Sequence, residues 1–476
     1  MAKKQATLDR NVRESQLPIS KQIDINFRNY ALYVLEHRGI PSFYDALTNV
    51  QRVSLMNAPK TYSKTISLVG ACISNGYHHG DKSLSGAINK LARPFGCGEQ
   101  LLLGDGYFGT PVNPEASAAR YTSVKINPIV NEMLSKYMVL NKKNDDDQWE
   151  WLRTEIPVGL LTTVVGIAVG YRSTVLPRKA DEIQKFLDGK KANLNPYFKG
   201  FNGSISSYNG LKKSWLLEGV LKTDDLTRSI QVTELPPLMK YDSFIKKLSR
   251  LAETNIDFVI QNDSSDNVDI TLKYKAGTTW DDFKVRIDKM VKMIVTETLV
   301  FVKDSSVIEY NDIADYLTEY RVHREAVRLE KSTYDLGVYN EELEFLKAKL
   351  EYLKFMLAKK RNDTEIEIFL SAYTSKIKGR LERTLLKDLS VEVMQKTSTM
   401  ITDMQKTIQD EEKTKASLEA SLDKLKAETP IFSKSTKNTR SVDLFIGEEE
   451  EMDGIEVFNG EEDDDSIEPE NEYENA

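Results

Sequence analysis

Residues 115–126 read EASAARYTSVKI. A run of small residues ends at Arg120, Tyr121 follows directly, and the pattern then becomes strand-like as far as Ile126. Upstream, Gly104, Gly106 and Gly109 punctuate the chain as a turn does. The chain has 21 tyrosines, so a packed, half-buried ring is the plain reading of any one of them. An arginine set against this tyrosine, behind three alanines and a serine, asks for another.

Working outward, NYALYVLEHRGIP (29–41) reads as a helix stopped at Gly39 and Pro41. SFYDALTNVQRVSLMNA (42–58) and SKTISLVGACISNG (63–76) space their apolar residues by three and four, as helices do. DKSLSGAINKLAR (81–93) has an acid at its start and Arg93 at its end, which the helix dipole favours. Short helices followed by a glycine-bounded strand suggest a helix-turn-helix with a wing over 25–149, behind a polar arm at 1–24. After the polar break NKKNDDDQ (141–148), the β-branched LLTTVVGIAVGY (160–171) and the turn-rich stretch from 204 to 237 place a mixed α/β domain at 150–309. Leu343, Leu346, Leu350, Leu353 and Leu357 then step by three and four. Ile401, Met404, Ile408, Glu411, Lys415, Leu418, Leu422 and Leu425 do the same. That spacing predicts a long antiparallel coiled-coil arm over 310–428, with a small helical head near 360–390. The expected fold class is therefore α+β and multidomain. Residues 429–476 are assigned no structure.

The net charge of −8 conceals an asymmetry: residues 441–476 hold 16 acidic residues and no basic ones. Without them, 57 acids face 65 bases, a body of about +8. A mildly basic body beside an acidic tail suits a polyanion-binding protein. No apolar run reaches the roughly 18 residues of a membrane helix, and MAKKQATLDRNVRE (1–14) lacks the apolar core of a secretory signal. Cys72 and Cys97, with four histidines in the chain, form no zinc or disulfide spacing, so no metal site is expected. A reducing, cytoplasmic setting follows as the expectation.

Six blocks, in order, resemble the breakage–reunion part of type IIA DNA topoisomerases. YALYVLEHRGIPSFYDALTNVQRVSL (30–55) is similar to the first block and YHHGDKSLSGAI (77–88) to the histidine block. LLLGDGYFGTPVNPEASAARYTSVKI (101–126) is similar to the active-site block. GIAVGY (166–171), PYFKGFNGSI (196–205) and VTELPP (232–237) complete the set. The resemblance implies a winged-helix cleavage domain, a tower, and a coiled coil that closes a dimer gate. Residue by residue, it implies Tyr121 as nucleophile and Arg120 as its catalytic partner. It places Arg38, Arg52, His78, His79, Lys82 and Ser83 on DNA, and Ile167 as an apolar wedge between base pairs. A phenol, with a pKa near 10, is a poor nucleophile until a cation favours the phenolate and a phosphate is held in line. The arginine fork suits the non-bridging oxygens. Two departures stand out: Gln51, Arg52 and Val53 replace the family's paired arginines, and Thr162-Thr163 replaces an Asn-Gly. Within the family the chain is most similar to the separate breakage subunits of T-even-type bacteriophages.

The family's "EGDSA" element and its ATPase glycine motif do not occur in the sequence. The resemblance therefore implies a large partner subunit holding Mg²⁺ and ATP, with this chain as a homodimer on double-stranded DNA. The alternative is an architectural DNA-binding protein that keeps the fold without the chemistry.

Overall fold

The computed structural model describes residues 19–35, 39–144, 147–254, 256–304, 306–358, 363–388, 397–428 and 440–442, in a mixed α+β architecture. Helix α1 (Ile19–Val34) starts inside the expected polar arm, so residues 19–24 are helical. Three helices follow, α2 (Asn49–Met56), α3 (Thr65–Ser74) and α4 (Asp81–Ala92), and α3 packs against both others. Beside them lies an antiparallel sheet of β1 (Ser63–Lys64), β2 (Leu102–Asp105) and β3 (Ser123–Ile126), in the order β1-β3-β2. Asn127 ends β3 by accepting the Ile129 amide, and Pro128 at the first helical position starts α5 (Pro128–Ser135).

The hairpin of β4 (Val164–Ala168) and β5 (Tyr171–Val175) turns at Gly170. Gly166 is required here: a Cβ on it would meet the Gly39 carbonyl oxygen at 1.9 Å. The chain beside Arg38 therefore lies directly on the hairpin. Helix α6 (Ala180–Leu187) leads into β6 (Ser204–Ser207), β7 (Ser214–Glu218), β8 (Val220–Asp224) and β9 (Ser229–Glu234). Then come α7 (Tyr241–Ala252), β10 (Asp257–Asn262), β11 (Ile270–Ala276), α8 (Trp280–Met290) and β12 (Lys292–Thr296). These strands form two antiparallel sheets, β10-β11-β9-β8 and β12-β7-β6. Tyr241, Phe244 and Leu248 step along one face of α7 and bury it with Phe283, Ile270 and Val232 in a core of their own. Full burial of each such side chain contributes about 1.5–3 kcal/mol.

A further antiparallel sheet has β13 (Leu299–Lys303) and β14 (Ser306–Tyr310) side by side. It feeds α9 (Ile313–Ala358), whose first turns bury Tyr316 and Tyr320 against Phe43 and Phe301 in the largest core. That core draws on residues from Phe43 to Leu187 and again from Leu299 to Tyr320. The arm continues with α10 (Asp363–Ser371), α11 (Ser375–Asp388) and α12 (Thr397–Glu428). Helices α9 and α12 pack on each other, with Leu343, Ile408 and Leu422 buried and Lys347 paired to Glu412 at 2.6 Å. Phe345, Tyr352, Leu370 and Leu381 form the small core of the head. One strand, β15 (Arg440–Val442), lies in the segment expected to be structureless. It pairs antiparallel with β14, Val442 opposite Val307 and Arg440 opposite Glu309. The rest of the expected tail, 429–439 and 443–476, lies outside the described residues.

Candidate active site

Tyr121 is 65% exposed, the most exposed tyrosine of the described residues. Its loop is nonetheless closely fixed. The Tyr121 amide donates to the Ala118 carbonyl at 2.8 Å, closing a tight turn. The first two amides of α3 cap that turn: Thr65 donates to the Thr122 carbonyl at 3.0 Å and Ile66 to the Ala119 carbonyl at 3.2 Å. These are donors that a helix start leaves unsatisfied. The Thr65 and Thr122 hydroxyls, both fully buried, lie 2.7 Å apart. Upstream, the Ser117 amide donates to the Tyr107 carbonyl at 3.0 Å and closes the base of the glycine-punctuated loop. Phe108 anchors that loop in the largest core, while Val112 packs against the core around Phe244. Gly109, at φ 86°, needs a glycine, because a Cβ would also press on Pro114 at 2.7 Å.

The guanidinium of Arg120 sits 4.9 Å from the Tyr121 ring centroid. The cation is thus already at the phenol, and neither side chain is buried. Tyr310, Tyr316 and Tyr320 contrast with this: burial above all raises their phenol pKa values, and each lies in the core. They are unsuited to serve as nucleophiles. Burial likewise pushes the Cys72 thiol up to about 12 and the Cys97 thiol to about 11.

His78, His79, Lys82 and Ser83 lie together at the start of α4. The His79 ring meets Tyr77 edge-on at 5.4 Å. Tyr77 also reaches the Ser83 hydroxyl at 3.3 Å, and that hydroxyl donates to the Gly80 carbonyl at 2.7 Å. His78 and Lys82 are exposed. Because α3 and α4 pack together, the histidine block and the tyrosine turn sit at the starts of two adjoining helices. Ile167 is 68% exposed on β4, with Arg172 opposite it in register. An apolar side chain held out from a short hairpin has the form of a wedge.

Arg52 departs from the expectation. It is 4% exposed, and its Nε and Nη2 donate to the two Asp45 oxygens at 2.7 and 3.1 Å. Nη2 also donates to the Leu47 carbonyl, and Asp45 accepts the amides of Leu47 and Leu152. Nε and Nη2 are both engaged inside the fold, so Arg52 forms a buried ion pair with Asp45 instead of standing as an exposed cation. Arg38 lies outside the described residues. Among the described residues, no group of three or more His, Cys, Asp or Glu side chains is placed to hold a metal ion. No helix among them is long and apolar enough to cross a membrane.

The sequence model of the DNA gyrase/topoisomerase IV A subunit matches residues 38–446, taking in the tyrosine turn, the histidine block and the Ile167 hairpin. The chain belongs to this family. Its similarity to individual members is spread over long stretches at modest identity. It is 27% identical to the DNA topoisomerase medium subunit of Enterobacteria phage T4 over 289 residues, covering 56% of this chain and 60% of the phage protein. It is 23% identical to the DNA gyrase A subunit of Ureaplasma parvum over 368 residues, covering 68% of this chain and 43% of that protein. The chain thus spans less than two thirds of the length of these relatives. Its fold matches the DNA-binding, cleavage and re-ligation domain of Plasmodium falciparum topoisomerase II, with a TM-score of 0.67 at 19% identity. The match covers 85% of this chain and 63% of that one.

Proposed function

We propose that the chain is the DNA-cleaving subunit of a type IIA topoisomerase. The observation that carries this reading is the tyrosine turn: an exposed phenol on a backbone clamped by α3, with a guanidinium already on its ring. In the proposed reaction the Tyr121 oxygen attacks a backbone phosphorus and the P–O bond to the 3′ oxygen breaks. That oxygen leaves with a proton, and a 5′-phosphotyrosyl ester remains. One ester replaces another of similar energy, so the reverse attack reseals the strand. Arg120 moves from the ring to the non-bridging oxygens, where a positioned cation stabilises the developing charge. The helices α2 to α4 and the β1-β3-β2 sheet act as a winged helix on the duplex. His78, His79, Lys82 and Ser83 line its path, Arg38 contacts a phosphate near the cut, and Ile167 wedges a base step. Residues 25–149 act as the cleavage domain, 150–309 as the tower, and 310–428 as the coiled coil closing a homodimer gate. Mg²⁺ and ATP are assigned to a large partner chain, Mg²⁺ to stabilise attacking and leaving oxygens when bound. A second duplex passes through the break, giving relaxation or decatenation in the cytoplasm.

The test is covalent trapping. The chain is mixed with its large-subunit partner, Mg²⁺ and end-labelled DNA, then quenched with detergent. A 5′-linked adduct is expected from wild type and none from Tyr121→Phe, while Arg120→Ala lowers the adduct by roughly 10²–10³-fold. An adduct that survives Tyr121→Phe moves the chemistry to another residue. Intact DNA binding with no adduct from wild type favours the architectural alternative.

A further inference from the structure

The strand edge beside the tyrosine turn carries a set of cations with no use inside the fold. Residues 59–64 run antiparallel to 123–126: the Ile126 amide donates to the Pro59 carbonyl at 2.8 Å, Ser63 pairs with Val124, and Lys64 pairs with Ser123. Val124 and Ile126 point into the core, so Ser123 and Lys125 take the outer face. On that face Lys125 holds its ammonium 4.5 Å over the ring of Tyr62, which is 48% exposed. Lys60 and Lys64 are exposed on the facing strand. None of Lys60, Lys64 and Lys125 has a carboxylate partner among the described residues, although lysine–carboxylate pairs are common elsewhere in the chain. The carboxylate nearest in register is Asp105, which pairs with Ser123 from the far side of β3: it lies two strand spacings, about 9–10 Å, from Lys64 and diagonal to Lys125, and forms an ion pair with neither.

We propose that Lys60, Lys64 and Lys125, with Tyr62 as the platform that holds Lys125 outward, form a binding track for the phosphate backbone of duplex DNA. This rests on the DNA-cleaving reading above and adds a site to it. The track is continuous with the nucleophile, since Tyr121 stands two residues before Ser123 on the same strand run. Its chemistry is that of point charges on an open face. It makes no bidentate fork and reaches no base edge, so it positions a strand without reading its sequence. The strand phosphates that follow the cut would lie on it, and the scissile phosphate would be delivered to Arg120 in register.

The salt dependence of binding tests this. Affinity of the full chain for a duplex is measured by anisotropy from low to moderate salt. The proteins compared are wild type, Lys60→Ala/Lys64→Ala/Lys125→Ala, the matching triple Lys→Arg variant, and Lys246→Ala on α7 as a remote control. The expected result is a log affinity–log salt slope flattened by about 0.9 for each lysine engaged, so by about 2–3 in the triple alanine variant. The slope is kept in the arginine and Lys246 variants, and the change is equal on unrelated sequences. A triple alanine variant that keeps the wild-type slope overturns the track alone, with the cleavage reading intact. A loss confined to one DNA sequence also overturns it. Wild type that fails to bind duplex at low salt overturns both the track and the reading beneath it.

Discussion

The arm and the tyrosine face handle charge in opposite ways. Along the arm the cations meet carboxylates: Lys331 with Asp335, Lys347 with Glu412, Lys376 with Glu341, Arg380 with Glu342, Lys415 with Glu419. On the tyrosine face, Lys60, Lys64, Lys82, Arg120 and Lys125 have no such partner among the described residues. Most of the arm's charge pairing is thus internal, as suits an element that packs and spans. The face is left with cations outside any ion pair, which a polyanion can engage. Arg52 shows that a cation in the same domain can go the other way, into a buried pair.

Three substitutions probe this contrast. The largest effect belongs to Arg52→Met, which leaves Asp45 buried without its cation and should cost about 3–5 kcal/mol of stability. Denaturant unfolding measures it. If Arg52 were instead a DNA contact, stability would hold and affinity would fall. Second is His323 on α9, ringed by Tyr44, Trp151 and Tyr320. Burial, then the charges of Arg153 and Lys303, pushes its pKa down from 6.5 to about 4. The unfolded chain therefore binds the extra proton first as pH falls. Stability contributed by the neutral ring is complete above about pH 6.5 and is lost toward pH 4, by up to about 3 kcal/mol. His323→Phe should flatten thermal stability across that window, and an unchanged pH profile would count against the buried ring. The smallest effect is expected from Lys347→Ala: its exposed pair should cost under about 1 kcal/mol, with no change in the salt slope of DNA binding. A clear change in that slope would erase the distinction between arm and face.

What could be read from the sequence follows the range of the interactions. Arg120 and Tyr121 are adjacent, so their partnership shows in a short motif. The arm shows through the spacing of Leu343, Ile408 and Leu422, whose burial the helices then supply. Arg52 misled because its fate depends on Asp45 and on the amide of Leu152, a hundred positions on. Lys60 and Lys64 leave no signal in the sequence because β1 is two residues long, too short to display alternation. The buried Arg178–Glu297 pair, joined by the Trp215 indole, spans more than a hundred residues and leaves no local trace. Strand β15 lies in a polar segment whose pairing comes from the waiting edge of β14.

That strand lies on the sheet that feeds the arm. The outgoing helix is rooted in the core by Tyr316 and Tyr320, and the chain that returns is clipped to the neighbouring sheet at Arg440–Val442. A lever of 46 residues, about 69 Å long, amplifies any play at its root. A tilt of about 5° there would swing the far end by about 6 Å over that length. A tilt of the arm's root would therefore load the sheet of β13 and β14, which also packs on β5 of the Ile167 hairpin.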